Sequence, residues 1–113
     1  MKKIVLFASG SGTNVENIIR YFQEKKTAEV VAVFCNNPNA KVLERAQNLN
    51  IPTFVFSKEA LNSTLVLEKL SEYQPDLIVL AGFLLQFPIA IIKEFPNIIN
   101  IHPALLPRYG GKG

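Results

Sequence analysis

The chain has 113 residues, 49% apolar and 19% charged, with 12 basic and 9 acidic side chains giving a net charge of +3. This length holds a single domain, and so apolar a chain argues for strands buried on both faces and against disorder. Lys and Arg are scattered rather than gathered into a stripe, so a nucleic-acid partner is not expected.

Short apolar runs alternate with helical periods along the chain. Residues 2–9, KKIVLFAS, form a continuous β-branched and aromatic run, the pattern of a strand. Its apolar core of about six residues is at or below the lower limit for a signal-peptide core. Residues 13–26 place Val15, Ile18, Ile19 and Phe22 on one helical face, with Thr13 and Glu16 spaced as a capping box. Residues 28–37 are the next strand, ending Cys35-Asn36-Asn37. Cys35 is the single cysteine, so no internal disulfide forms; its apolar neighbours predict a packed, inert thiol. Residues 39–50 repeat the helical spacing through Val42, Ala46 and Leu49, and TFVFS is a short third strand. Residues 58–74 read as one helix with Leu61, Leu65, Leu67 and Leu70, ended by Gln74-Pro75. DLIVLAG is a fourth strand, PIAIIKEF a short helix with proline in its first turn, and IINIH a fifth strand. The longest apolar stretch, residues 77–92, falls short of about 18 residues and is broken by Gly82, Gln86 and Pro88. No membrane partner is expected, and the protein reads as cytoplasmic.

Strands apolar from end to end belong to parallel sheets. Their alternation with helices predicts an α/β fold: a doubly wound, mostly parallel sheet with strand order 3-2-1-4-5, as one domain over residues 1–113. Ligands bind such sheets at the switch point, beyond the carboxyl ends of the strands. The first and fourth strands flank that point, which directs attention to residues 9–14 and 81–88.

The first of these loops, SGSGTN, joins the first strand to the first helix. Gly10 and Gly12 permit a sharp turn, and the helix N-terminus offers free amides to an anion. Ser11, Thr13 and Asn14 add side-chain donors. An ordinary strand-to-helix turn would use the same residues. A dinucleotide fingerprint would need a third glycine where Val15 stands and an acidic residue at the end of the second strand. There is no Gly-Lys-Ser/Thr for a nucleoside triphosphate either, so a small phosphate monoester fits the loop better.

The second candidate cluster is INIHP. Alternation along a strand puts Asn100 and His102, the only histidine, on one side at its carboxyl end. An amide and an imidazole there suit acyl transfer: Asn100 can donate to a developing oxyanion, and His102 can move a proton or stabilise that charge. The pair could equally just satisfy the strand end. No G-x-S-x-G elbow is present, and one His with a distant Cys35 makes no metal ligand set. Direct transfer between two bound substrates remains.

Gly10-Ser11-Gly12-Thr13-Asn14, LAGF at Leu80 to Phe83, and NIHPALLP at Asn100 to Pro107 together resemble the glycinamide ribonucleotide formyltransferase family, in its order and spacing across nearly the whole chain. The resemblance implies a Rossmann-like formyltransferase fold. It also implies that 10-formyltetrahydrofolate, acting as co-substrate without a metal, gives its formyl group to glycinamide ribonucleotide in purine biosynthesis. By the same resemblance, Gly12, Thr13 and Asn14 hold the substrate phosphate. Ile101 contacts the ribonucleotide through its backbone, Asn100 polarises the formyl oxygen and meets the folate, and His102 is the catalytic acid. Leu84, Leu85, Gln86 and Phe87 line the folate pocket; many members have Met-Arg-Ile-Leu there, in a loop one residue longer. Many members also carry a basic residue early in the third helix, where this chain has Asn62 and Ser63. The family's second half supplies an aspartate facing the histidine and the other folate wall. The chain therefore reads as a truncated amino-terminal half, with little or no catalysis expected of it alone. The alternatives are the core of a formyltransferase for initiator tRNA or an amino sugar, and a non-catalytic phosphate-binding module.

Overall fold

In the computed structural model, which describes residues 1–101, KKIVLFA forms β1 (Lys2–Ala8), buried from Ile4 onward. Alternation sends Ile4, Leu6 and Ala8 to one face of the strand and Val5 and Phe7 to the other. Both faces are covered, which explains the unbroken apolar run.

The chain continues through α1 (Thr13–Lys25), β2 (Ala28–Cys35), α2 (Lys41–Asn48), β3 (Thr53–Val55), α3 (Lys58–Leu61), α4 (Leu65–Tyr73), β4 (Leu77–Ala81), α5 (Ile89–Glu94) and β5 (Ile98–Ile101). All pairings are parallel and the strand order is β3-β2-β1-β4-β5, as the sequence predicts. Helices α1 and α2 cover one face with Val15, Ile19, Val42, Leu43 and Ala46. Helices α3, α4 and α5 cover the other with Leu61, Val66, Leu70 and Ile91. Among the described residues, no helix is long and apolar enough to cross a membrane.

Residues 58–74 depart from the sequence reading: one predicted helix is two. At the break, the Asn62 side-chain amide donates to the Lys58 carbonyl at 3.0 Å, and the Ser63 hydroxyl donates to the Ala60 carbonyl at 2.9 Å. The same hydroxyl accepts the Leu65 amide at 3.1 Å. Short polar side chains thus replace the helical ladder for one turn. The restart changes the inward face: Val66 and Leu70 are buried, whereas Leu65 is exposed.

Phe7 is the centre of the second core. Its ring lies 4.9 to 5.8 Å from those of Phe34, Phe56, Phe83 and Phe87, drawing β2 and the segments after β3 and β4 onto the middle strand. On the opposite face Cys35 is fully buried, its thiol donates to the Asn37 carbonyl at 3.3 Å, and burial pushes its pKa up. The packed thiol expected from sequence is what this position holds.

Truncating Phe7 removes contacts with four rings in a site that cannot collapse easily. Phe7→Ala should lower unfolding free energy by about 3–5 kcal/mol in urea titrations, and a loss below about 1 kcal/mol would show that the cluster does not centre on this ring.

Candidate functional site

The site begins where β1 ends. Ser9 is only 6% exposed, and its hydroxyl donates to Asn36 Oδ1 at 2.6 Å while accepting the Leu84 amide at 3.0 Å. One hydroxyl therefore ties together the chain after β1, β2 and β4, using its donor and one of its two acceptor positions.

In the next three residues the carbonyls are engaged in turn. Gly10 O accepts the Val42 amide at 3.2 Å, Ser11 O accepts Arg45 Nε at 2.7 Å, and Gly12 O accepts the Glu16 amide at 2.8 Å. A trans peptide points its C=O and its N–H in opposite directions. The Ser11 and Gly12 amides therefore face away from α2, and the Thr13 amide points out beyond the start of α1. Among the described residues, the amides of Ser11, Gly12, Thr13 and Asn14 have no acceptor. Together with the positive end of the α1 dipole, this makes an anion-accepting turn.

Gly12 is required twice over. Its φ is +78°, and a Cβ there would lie 2.5 Å from Val42 Cβ and 2.8 Å from Val42 Cα. A Cβ at Gly10 would meet open space. Gly12, not Thr13, is the N-cap of α1, with no side-chain cap. The expected capping box is absent because Glu16 turns instead to Arg20 and Arg45. Those two cations, Arg45 foremost, hold the Glu16 carboxyl below its ordinary range.

Residues 10–14 line a cavity of about 280 Å³ together with Ala81 and Gly82 at the end of β4. The two loops predicted from the switch point thus meet in one place, and Gly12, Thr13 and Asn14 share it. Gly82, at φ +71°, donates its amide to the Ile101 carbonyl at 3.4 Å and so connects β5 to the same region. Asn100 is exposed and aligns with Leu80, one strand further from β1. His102 lies outside the described residues, and with it the expected Asn100–His102 pair. In the segment after LAGF, Leu84 and Gln86 are exposed. Leu85 and Phe87 pack against the core under α3–α5, so their side chains serve the fold. A larger hollow of about 460 Å³, between the C-terminal ends of α1 and α2, lies at the opposite end of the strands from these loops.

The sequence places Ser9 in the candidate loop without assigning it a role, and it gives Arg45 no place in the site. Ser9 looked like the end of a strand; a polar residue closing an apolar run at the switch point was the available signal. Arg45 gave none, because its contact with Ser11 spans 34 positions.

A family model described as "Formyl transferase" matches residues 2–113. The chain is 36% identical over 118 residues to the phosphoribosylglycinamide formyltransferase of Bacillus subtilis (strain 168), covering 98% of this chain and 60% of that protein. It is 38% identical over 116 residues to the Escherichia coli (strain K12) protein of the same name, covering 96% and 54%. The crystal structure of glycinamide ribonucleotide transformylase 1 from Geobacillus kaustophilus matches with TM-score 0.84 and 39% identity, over 99% of this chain and 63% of that one. The chain thus spans little more than half the length of these two curated relatives.

The contrast between the two glycines is testable by thermal unfolding. Gly10→Ala should stay within about 0.5 kcal/mol of wild type. Gly12→Ala should lose roughly 1–3 kcal/mol or more, since it adds backbone strain and a clash with Val42. Equal losses would contradict the packing described for Gly12.

Proposed function

Since this chain belongs to the formyl transferase family, we propose that the protein carrying it transfers the formyl group of 10-formyltetrahydrofolate to the amine of glycinamide ribonucleotide, in purine biosynthesis. The observation that supports this reading most is the row of amides at residues 11–14 that have no acceptor among the described residues, beside a cavity of about 280 Å³ at the switch point. A phosphate monoester is the ligand such a turn favours.

In this reading Gly12, Thr13 and Asn14 hold the ribonucleotide phosphate, and the Ile101 backbone contacts the same substrate. The substrate amine attacks the formyl carbon and its oxygen becomes negative. Asn100 donates to that oxygen, and His102, protonated, stabilises it. Collapse breaks the bond from the formyl carbon to the folate nitrogen; His102 gives its proton to that nitrogen and then takes up the proton shed by the amine. The folate lies along residues 84–87, meeting mainly backbone there, because Leu85 and Phe87 have their side chains in the core. No covalent enzyme intermediate and no metal enter this scheme. The partners are two small molecules rather than nucleic acid or membrane, and a cytoplasmic location suits water-soluble substrates.

The test is an assay of the whole natural protein with 10-formyltetrahydrofolate and either glycinamide ribonucleotide or charged initiator tRNA. Turnover with the ribonucleotide supports the proposal; turnover with tRNA alone overturns it. His102→Ala should then lower kcat by about a hundredfold to ten-thousandfold. Asn14→Ala should raise the ribonucleotide KM about tenfold with kcat nearly unchanged. A near-normal kcat for the first variant would remove His102 from the chemistry, and an unchanged KM for the second would remove the Asn14 side chain from the phosphate site.

A further inference from the structure

Arg45 sits on α2, yet its side chain is built into the loop before α1. Nε donates to the Ser11 carbonyl at 2.7 Å, and Nη1 donates to the Glu16 carboxylate on α1. The planar guanidinium is thus fixed at two points, a geometry that an ammonium cannot reproduce. Glu16 is held from its other side by Arg20 Nε at 2.9 Å. Arg20 belongs to the same ion-pair network but makes no hydrogen bond to the loop carbonyls.

Peptide planarity turns this contact into a device for aiming. The Ser11 carbonyl and the Gly12 amide belong to one trans peptide and point opposite ways. Fixing the carbonyl on Arg45 fixes the amide on the far side, towards the cavity formed with Ala81 and Gly82. Val42 does the same for the Ser11 amide through the Gly10 carbonyl, with a main-chain donor. Arg45 is the side-chain tether, on which the direction of the Gly12 amide depends.

We propose that Arg45 is a positioning residue for phosphate binding: by holding the Ser11 carbonyl it aims the Gly12 amide at the phosphate of the substrate. This rests on the reading of residues 12–14 as the phosphate site. Arg45 itself lies on the outer side of the loop and touches neither substrate. Its effect belongs to ribonucleotide binding and leaves the formyl-transfer step alone.

The experiment compares wild type, R45K, R45M and R20M in the whole natural protein, with melting temperatures measured alongside. R45K and R45M should both raise the ribonucleotide KM about tenfold, the loss of one charge-assisted hydrogen bond's worth of alignment. Their kcat and their KM for 10-formyltetrahydrofolate should stay within about twofold of wild type. R20M should keep wild-type KM values, even if it melts as early as the Arg45 variants. A wild-type KM in R45K, with a raised one in R45M, would overturn the proposal, because charge alone would then suffice. A raised KM in R20M equal to that in R45K would overturn it too, since general loosening of α1 against α2 would be the cause.

A second readout separates this inference from the functional reading. Inorganic phosphate is titrated into the nitrogen-15-labelled protein and the amide resonances of Ser11, Gly12 and Thr13 are followed. They should shift in wild type and R20M, with the Gly12 response lost in R45K. If that pattern holds but the wild type never turns over glycinamide ribonucleotide, the functional reading fails and the role of Arg45 stands. If turnover is normal and R45K responds like wild type in both readouts, the reading stands and the role of Arg45 falls. A wild-type loop indifferent to phosphate would overturn the aiming role outright.

Discussion

The direction of three peptide planes, at residues 10–12, is the constraint on which the rest of the site depends. Each carbonyl of the loop is engaged on the side of α2 or α1: Gly10 by Val42, Ser11 by Arg45 and Gly12 by Glu16. With those oxygens taken, the amides face the other way and have no acceptor among the described residues. Unpaired amides are tolerable only where water or an anion can reach them, and the cavity beside Ala81 and Gly82 provides that access. The close approach of α2 that makes this possible requires Gly12, since Val42 occupies the space a side chain would need.

The scaffold exists to keep that loop in register with the others. β1 is buried on both faces, so its end is among the least movable points of the fold. Ser9, immediately after it, fastens Asn36 and the amide of Leu84 with a single hydroxyl. Gly82 reaches on to the Ile101 carbonyl. Four neighbouring strand ends are thereby linked by hydrogen bonds, and the aromatic cluster around Phe7 packs the segment after β4 onto the middle strand. The proposed formyl transfer between two bound molecules would demand this kind of arrangement, because two separately bound reactants gain rate only when held in mutual alignment.

Much of this was legible in the sequence. The unbroken apolar run of residues 4–8 reads as a strand of a parallel sheet, and the alternation that follows predicts a doubly wound sheet of the observed strand order. The switch point between the first and fourth strands points to the two loops that line the cavity. What escaped was of two kinds. Asn62 and Ser63 break a helix because their side chains compete for backbone groups, an effect that apolar spacing does not register. Arg45 and Ser9 act through contacts 34 and 75 positions away, and local pattern carries no information about those. The capping box failed for a related reason: Glu16 had better partners in Arg45 and Arg20 than in its own helix start.

A crystal structure of the whole natural protein with glycinamide ribonucleotide tests the central claim most directly. The phosphate is expected at residues 12–14, its oxygens about 2.7–3.2 Å from the Gly12, Thr13 and Asn14 amides, with Ser11 O still on Arg45. A phosphate held instead in the groove of Arg20, Lys41 and Arg45 on the outer side of the loop would contradict that claim.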